Sequence, residues 1–441
     1  MAHEVLILGG GFGGLTAARR LERKLAPQAA KVTLVNDVNF MLYTPLLPGA
    51  AGGTLEPRHV VVPLREQLRR TDLHLGHVLG ADPDRKVVRV RSIGGGEADL
   101  PYDQLIVALG STSRTLPIPG LAEHAMGFKT LSEAIALRNR VLFALEQAEI
   151  QEDEDARRAL LTFVFVGAGY AGLEGLAELQ DLAADVLDRY PRAQLTGLRF
   201  ILVEARERVM LEISADLAAF ATAELRRRGI EVRLNTQIAR LTDDSVTLST
   251  GEVVPARTVV WTAGVKPPAI VRQLGVPLTE GGRIEVDATM RVKGQDNVWA
   301  IGDAAAVPDP AQGRHAPTPP TAQHAIRQGR VVGSNVAAAL AGRKPRPFRY
   351  RTLGVFVDMG QHKAVATMLG LRLRGFPAWF AARTYHLAMM PGMARRVRLA
   401  ADWTVGLLFG RASAELGQLG HPPSLGDYLD EVPQSGEAPD R

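Results

Sequence analysis

Apolar residues along the first third of the chain fall in short runs that end in glycine. Val5-Leu6-Ile7-Leu8 is followed by Gly9-Gly10-Gly11-Phe12-Gly13-Gly14, then by Leu15, Ala18 and Leu21 at helical spacing. Lys31-Val32-Thr33-Leu34-Val35 reads as the next strand. The same order returns 158 residues later: Phe163-Val164-Phe165-Val166, Gly167-Ala168-Gly169-Tyr170-Ala171-Gly172, a helical stretch, and Arg199-Phe200-Ile201-Leu202-Val203. Two further apolar runs, Gln104 to Gly110 and Asn297 to Asp303, read as strands that feed loops. Strand, glycine turn, helix and strand in series predict a parallel sheet with helices on its faces, twice over. The fold class is therefore α/β, with two Rossmann-like dinucleotide-binding domains.

Each glycine has its own task in such a turn. Gly9 and Gly167 permit the tight turn. Gly11 and Gly169 let backbone approach a pyrophosphate. Gly14 and Gly172 let the helix pack closely on the strand. The helix N-terminus that follows presents free N–H groups to phosphate, with Phe12, Gly13 and Tyr170 in that region. A lone pattern of this kind often marks only a structural turn; two copies in matching contexts argue for nucleotides.

The residue closing the second strand of each unit selects the ribose. Glu204 does so in the second unit, accepting from ribose hydroxyls and repelling a 2′-phosphate, which favours NAD. Arg206 and Arg208 nearby leave NADP open. In the first unit the position is Asn36, or Asp37 if the register differs by one. Asp303, after Gly302 at the end of a strand, suits a ribityl or linked hydroxyl and equally suits a helix N-cap.

Composition narrows the chemistry. There are 441 residues, 46% hydrophobic and 22% charged, which is ample for two or three domains. There is no cysteine, so disulfides, cysteine-held iron–sulfur clusters, thiolate zinc and thiol redox chemistry are excluded. No run of 18 apolar residues reads as a spanning helix, and no signal peptide is read at the start. No histidine or acid stands beside His324 at metal-ligand spacing, so no metal role is assigned.

With these residues in place, the chain resembles the flavoproteins with two dinucleotide folds, and within them the type II NADH dehydrogenases. Asn39-Phe40-Met41-Leu42-Tyr43-Thr44-Pro45-Leu46-Leu47 is similar to their Pro-Leu-Leu segment, and Trp261-Thr262-Ala263-Gly264-Val265 to their Trp-x-Ala-Gly-Val turn. Pro319 to Gln328 resembles their quinone-site motif, Glu174 matches the acid after the second glycine turn, and Ala378-Trp379 with Tyr385-His386-Leu387 resembles their membrane-docking end. Three positions depart: Asn36 for the usual acid, Leu109 for a threonine, and Arg327 for a glutamine.

The resemblance implies FAD in a discontinuous domain, 1–120 and 285–340, with contacts at Gly9, Gly11, Phe12, Gly13, Gly14, Asn36 or Asp37, Pro45, Ala108, Gly110, Gly302, Asp303, Ala322 and Gln323. It implies NADH in the domain 121–284, at Gly167, Gly169, Tyr170, Gly172, Glu204 and Gly264. Residues 341–441 form a C-terminal basic, amphipathic, membrane-associating region. Hydride would pass from NADH to the flavin and two electrons on to a quinone, menaquinone or ubiquinone. Glu174 would position the nicotinamide or tune protonation, and its plainer role is charge at a helix start. Glu178 reads as helix surface or a domain-contact ion pair. Gln323 and Gln328, about 140° apart on a helix, could donate to quinone carbonyls or form a polar face. His324 and Arg327 read as solvated neighbours, with Arg327 also able to bond a quinone oxygen.

Charge adds one fact. Between Arg343 and Arg411 there are 13 Lys or Arg and two acids, Asp358 and Asp402, in a chain of net charge +5. That window carries +11 and the remainder −6. With Trp379, Trp403, Phe380, Tyr385, Met389, Met390, Leu408, Phe409 and the Leu399, Trp403, Leu407 stripe, it predicts docking on anionic lipid at the cytoplasmic face of the membrane rather than on nucleic acid. Packing as core, or as the face of a homodimer, is the other reading. A soluble NAD(P)H-dependent reductase of a carrier protein, or an FAD and NADH-binding redox switch with little turnover, are the alternative functions. The tail after His421 carries prolines and acids without pattern and is expected to be mobile.

Overall fold

The computed structural model describes residues 2–309, 316–352, 354–368 and 370–416. The tail after His421 lies outside the described residues.

The first apolar run becomes the strand His3–Leu8, buried from Val5 onward, and leads into the helix Phe12–Lys24. This strand is central in a seven-stranded sheet. Gln104–Val107 and then Val298–Ala300 lie on one side of it; Ala30–Asn36 and Asp72–Asp82 lie on the other. These five strands are parallel. Val87–Ser92 and Glu97–Pro101 extend the sheet as an antiparallel edge. The strand order reverses at His3–Leu8, so its carboxyl end opens into a crevice between neighbours that lead to opposite sides. The late strand Val298–Ala300 brings the Gly302–Asp303 turn to that crevice although nearly 300 residues separate them in sequence.

The second unit repeats the plan. Thr162–Val166 is buried along its length and lies between Arg199–Val203 and Thr258–Trp261 in a five-stranded parallel sheet completed by Glu231–Arg233 and Ala125–Gly127. The helix Tyr170–Val186 follows its glycine turn. Near-continuous apolar strands are what burial on both faces of a parallel sheet demands.

Two packing features position the site. First, the helix Ala322–Leu340 lies against Phe12–Lys24 through glycines: a Cβ at Gly329 would fall 2.4 Å from the Gly13 carbonyl oxygen. The second is that Leu47 and Ala51, from the short helix Leu47–Ala51 that leaves the first domain, pack into the core of the second. Val357, Met359 and Val365 from a C-terminal three-stranded antiparallel sheet join the same core. The helix Tyr170–Val186 is thus gripped from both sides. Two further helices, Phe376–Met389 and Met393–Phe409, complete the described chain.

Candidate functional site

The two glycine turns are built alike. Gly9 and Gly167 have φ of +99° and +102°, the left-handed region that glycine reaches without a Cβ penalty. Each donates its N–H across the sheet, to Val35 and Val203. A Cβ on Gly14 or Gly172 would fall 1.8 or 2.0 Å from the carbonyl oxygen of Gly9 or Gly167, so both helices sit directly on their turns. Gly11 and Gly169 differ. Their backbones are extended, at φ −70° and −77°, and no protein atom lies within 4 Å of where a Cβ would stand. Neither conformation nor protein packing requires glycine there. The open space leaves room for a ligand to approach the backbone. Both helices start without a capping side chain and without an acid in the first turn, so their N–H groups remain available to phosphate. These cradles fit the pyrophosphates of FAD and of NADH.

At the ribose positions Asn36 ends its strand and Asp37 lies beyond it, exposed. The Asn36 amide oxygen accepts from Gly10 N–H at 2.7 Å and its nitrogen donates to the Val38 carbonyl at 2.7 Å. Glu204 does the same in the second unit, with one carboxylate oxygen accepting from Ala168 N–H at 2.7 Å and the other from Arg206 N–H at 2.9 Å. Asparagine thus supplies the same clasp on the glycine loop as the carboxylate. Arg208 donates to the Leu211 and Ile213 carbonyls and leaves only the Arg206 side chain exposed.

The Gly302–Asp303 turn is held from three sides. Gly302 adopts φ +70° and donates its N–H to the Gln328 amide oxygen at 2.7 Å. The Asp303 carboxylate accepts from the Ser111 hydroxyl at 2.6 Å, and Lys129 Nζ donates to the same hydroxyl at 2.9 Å. Ala108 and Gly110, the latter at φ +68°, end the neighbouring strand run beside it. Ser111 and Lys129 escaped the sequence reading because a lone serine and a lone lysine carry no pattern.

Gln328 requires a correction. It is fully buried, and its amide is spent on Gly302 N–H and on the Thr318 hydroxyl, 2.9 Å away. It shapes the turn and reaches no open surface. Nor does it share a surface with Gln323. Gln323, in the first turn of Ala322–Leu340, accepts from Tyr350 Oη at 2.9 Å and donates to the Gly354 carbonyl at 2.9 Å. His324 is buried and Arg327 stacks on the Tyr350 ring, so neither is a solvated neighbour.

Glu174 lies on the wall of a cavity with Pro45, Leu46, Phe356, Asp358, Arg383, His386 and Trp403. Its carboxylate accepts from Asp358 N–H at 3.0 Å. Burial, with the charges of Asp358 and Glu178 nearby, pushes its carboxyl well above the usual range. Burial alone holds the His386 imidazole down to about 4, so it is neutral. Glu178 is 4% exposed and pairs with Arg411 at 3.0 Å; the surface reading is corrected and the ion pair stands.

The C-terminal stripe is also corrected. Leu399 is fully buried and Trp379 is 7% exposed. Trp379 and Trp403 hold the Arg383 guanidinium between them, 4.4 and 4.9 Å from the ring centres. Arg395 is buried against Glu66, and Asp402 bonds His59 Nδ1 at 2.6 Å. Phe380, Leu407, Leu408 and Phe409 of the expected interfacial set are more than half exposed, and Phe376, Met393 and Val397 join them. Of the basic window, Lys363, Arg372, Arg374, Arg395 and Arg411 already carry ion pairs within the fold. No helix among the described residues is long and apolar enough to cross a membrane.

Residues 3–329 match the family model described as pyridine nucleotide-disulphide oxidoreductase. The chain is 33% identical to the type II NADH:quinone oxidoreductase Ndh of Mycobacterium tuberculosis, over 95% of this chain and 90% of that protein. It is 30% identical to the demethylphylloquinone reductase NdbB of Synechocystis sp., over 90% and 95%. Its fold matches the structure of NDH2 from Plasmodium falciparum in complex with NADH, with a TM-score of 0.87 and 18% identity, over 94% of this chain and all of that one.

Replacing Gln328 by leucine leaves the Gly302 N–H and the Thr318 hydroxyl without their buried partner. We expect a loss of about 1–3 kcal/mol, read as a lower urea midpoint against the unaltered protein.

Proposed function

This chain belongs to the type II NADH:quinone oxidoreductases, within the pyridine nucleotide-disulphide oxidoreductase family, and from that premise we propose how it oxidises NADH and reduces a quinone. The single observation that supports the reading is the pair of middle glycines, Gly11 and Gly169, which leave extended backbone open in front of a helix N-terminus in both turns. Without cysteine the chain has no thiol redox pair, so the family's disulphide chemistry is closed to it. FAD, when bound, supplies the group that takes hydride from NADH and gives electrons to the quinone.

The residues divide the remaining work. The turn at Gly9 to Gly14, with Asn36, would hold the FAD pyrophosphate and clasp its loop. Asp303, fixed by Ser111 and facing Lys129, would take a hydroxyl of the flavin side chain. Pro45, Ala108, Gly110, Ala322 and Gln323 would line the ring. Gly167 to Gly172, with Tyr170, would hold NADH, Gly264 would leave room for it, and Glu204 would select its unphosphorylated ribose. Glu174, whose carboxyl burial pushes well above the usual range, would exchange a proton beside the reacting atoms.

The quinone would enter the slot between the Pro45–Gly49 turn and the two C-terminal helices. Leu46, Leu55, Phe356, Ala382 and Trp403 offer an apolar wall, and Glu174 and Asp358 offer polar ends. That slot opens beside the helices whose exposed face carries Phe376, Phe380, Met393, Val397, Leu408 and Phe409. These side chains suit the interfacial layer of a bilayer at the cytoplasmic face, with Arg343, Lys344 and Arg349 free to meet anionic lipid.

Anaerobic titration of the FAD-loaded protein tests the function. One NADH per chain is expected to bleach the flavin bands and a soluble quinone analogue to restore them. Bleaching without return on quinone addition would point instead to a carrier-protein reductase. For the membrane, changing Phe380 and Leu408 together to glutamate is expected to abolish co-sedimentation with anionic vesicles while leaving NADH-dependent bleaching intact. Undiminished co-sedimentation would place the contact elsewhere.

A further inference from the structure

One side chain of the second dinucleotide domain reaches into the Gly302–Asp303 turn of the first. Lys129 follows the strand Ala125–Gly127, at the edge of the second sheet, and precedes Thr130, the cap of the helix Leu131–Ile150. Its backbone is fixed there in two ways. The Lys129 N–H donates to a Glu133 carboxylate oxygen at 2.8 Å, beside the capping box that Thr130 and Glu133 form. Its neighbour Phe128 is buried in the second core against the helix Tyr170–Val186: a Cβ at Gly175 would stand 2.6 Å from the Phe128 ring. Lys129 therefore moves with the second domain.

Its side chain crosses to the first. Nζ donates to Ser111 Oγ at 2.9 Å and stands 3.9 Å from Asp303 Oδ2. The Ser111 hydroxyl donates to that same Asp303 oxygen at 2.6 Å. The order of donors is forced. A serine hydroxyl has one proton, and an ammonium group can only donate. With Lys129 donating into Oγ, the single hydroxyl proton is aimed at Asp303. The Lys129 and Asp303 side chains are 33% and 18% exposed, so solvent screens the two charges less than it would a surface pair.

This arrangement differs from a simple tie. Where lysine only links two elements here, it meets the carboxylate directly: Lys363 reaches Glu224 at 2.6 Å and Lys293 reaches Glu285 at 2.7 Å. At Asp303 a serine is interposed and the ammonium stays back. Both contacts fall on Oδ2, so among the described residues Asp303 Oδ1 and two ammonium protons have no protein partner. An acceptor with donors beside it suits a chain that carries hydroxyls next to phosphates, as the ribityl pyrophosphate of FAD does.

We propose that Lys129 is a positioning residue for FAD. Acting through Ser111, it holds the Asp303 carboxylate turned so that Oδ1 takes a hydroxyl of the cofactor, and the seat of the second domain thereby governs how tightly the first holds FAD. The inference rests on the proposed role of Asp303. Linkage makes the dependence mutual: NAD+, by steadying the second domain in this seat, tightens FAD by the same factor by which FAD tightens NAD+.

The test is release of FAD from the loaded protein on dilution to nanomolar concentration, followed by the rise in flavin fluorescence. In K129M and in S111A we expect FAD to bind about tenfold more weakly, with the K129M/S111A variant no weaker than either alone. Saturating NAD+ is expected to tighten FAD in the unaltered protein and to leave K129M unchanged; a lysine that merely stiffened the fold would leave that coupling in place. Should K129M fail to fold, S111A, which removes one oxygen atom, carries the same two expectations. Retention of FAD in S111A as tight as in the unaltered protein, losses that add in the double variant, or NAD+ coupling that survives in the variants overturns the proposal. A D303N variant that holds FAD as tightly as the unaltered protein overturns the Asp303 reading beneath it, and is told apart by that result.

Discussion

A row of carboxylates buried at a domain junction can persist only if cations are brought to it. Removing a carboxylate from water costs several kcal/mol even after relaxation, and only close opposite charge or a proton repays that. The helix Tyr170–Val186 imposes this demand on the whole C-terminal half. Arg411, beyond the last helix, reaches the carbonyls of Gly52 and Glu178 as well as three carboxylates. Arg228 bonds the Ala177 and Met359 carbonyls beside Asp181. Arg383 is kept in place by two tryptophans. The C-terminal sheet and helices therefore belong to the core of the molecule, and do not hang from it as a separate anchor.

The same helix starts at the nucleotide. Its N-terminus faces the second glycine turn, and its middle forms the wall of the apolar slot. One rigid element thus runs from the second glycine turn to the slot proposed for the quinone and on along a set of carboxyls. The first domain meets it through Leu47 and Ala51, just after the Pro45 turn that would lie at the flavin. In the proposed reading, packing and not loop motion fixes the distance between the two substrates.

Much of this was legible in the residues. Both glycine turns, their strands and the late Gly302–Asp303 turn carry local patterns, because backbone approach and period-dependent burial leave marks in sequence. Of the acids on the second helix only Glu174 and Glu178 stood out in sequence, and Asp358 only as one of two acids in a window of 13 bases. What spacing could not reveal was direction. Gln328, Leu399 and Trp379 turn inward because Gly302 N–H, the first core and Arg383 are there to receive them. Those partners lie far away in sequence. The net charge of the C-terminal window overstated its free charge for the same reason: Lys363, Arg372, Arg374, Arg395 and Arg411 answer acids of the fold, and Arg383 is held between two tryptophans.

The central claim is that one slot, between the Pro45 turn and the C-terminal helices, takes the quinone against Glu174. A structure of the FAD-loaded protein with a short-chain quinone analogue tests it most directly. The account predicts the ring between Pro45 and Trp403, with an oxygen within hydrogen-bond reach of Glu174 or Asp358. A ring bound elsewhere, with this slot filled only by water, would contradict it.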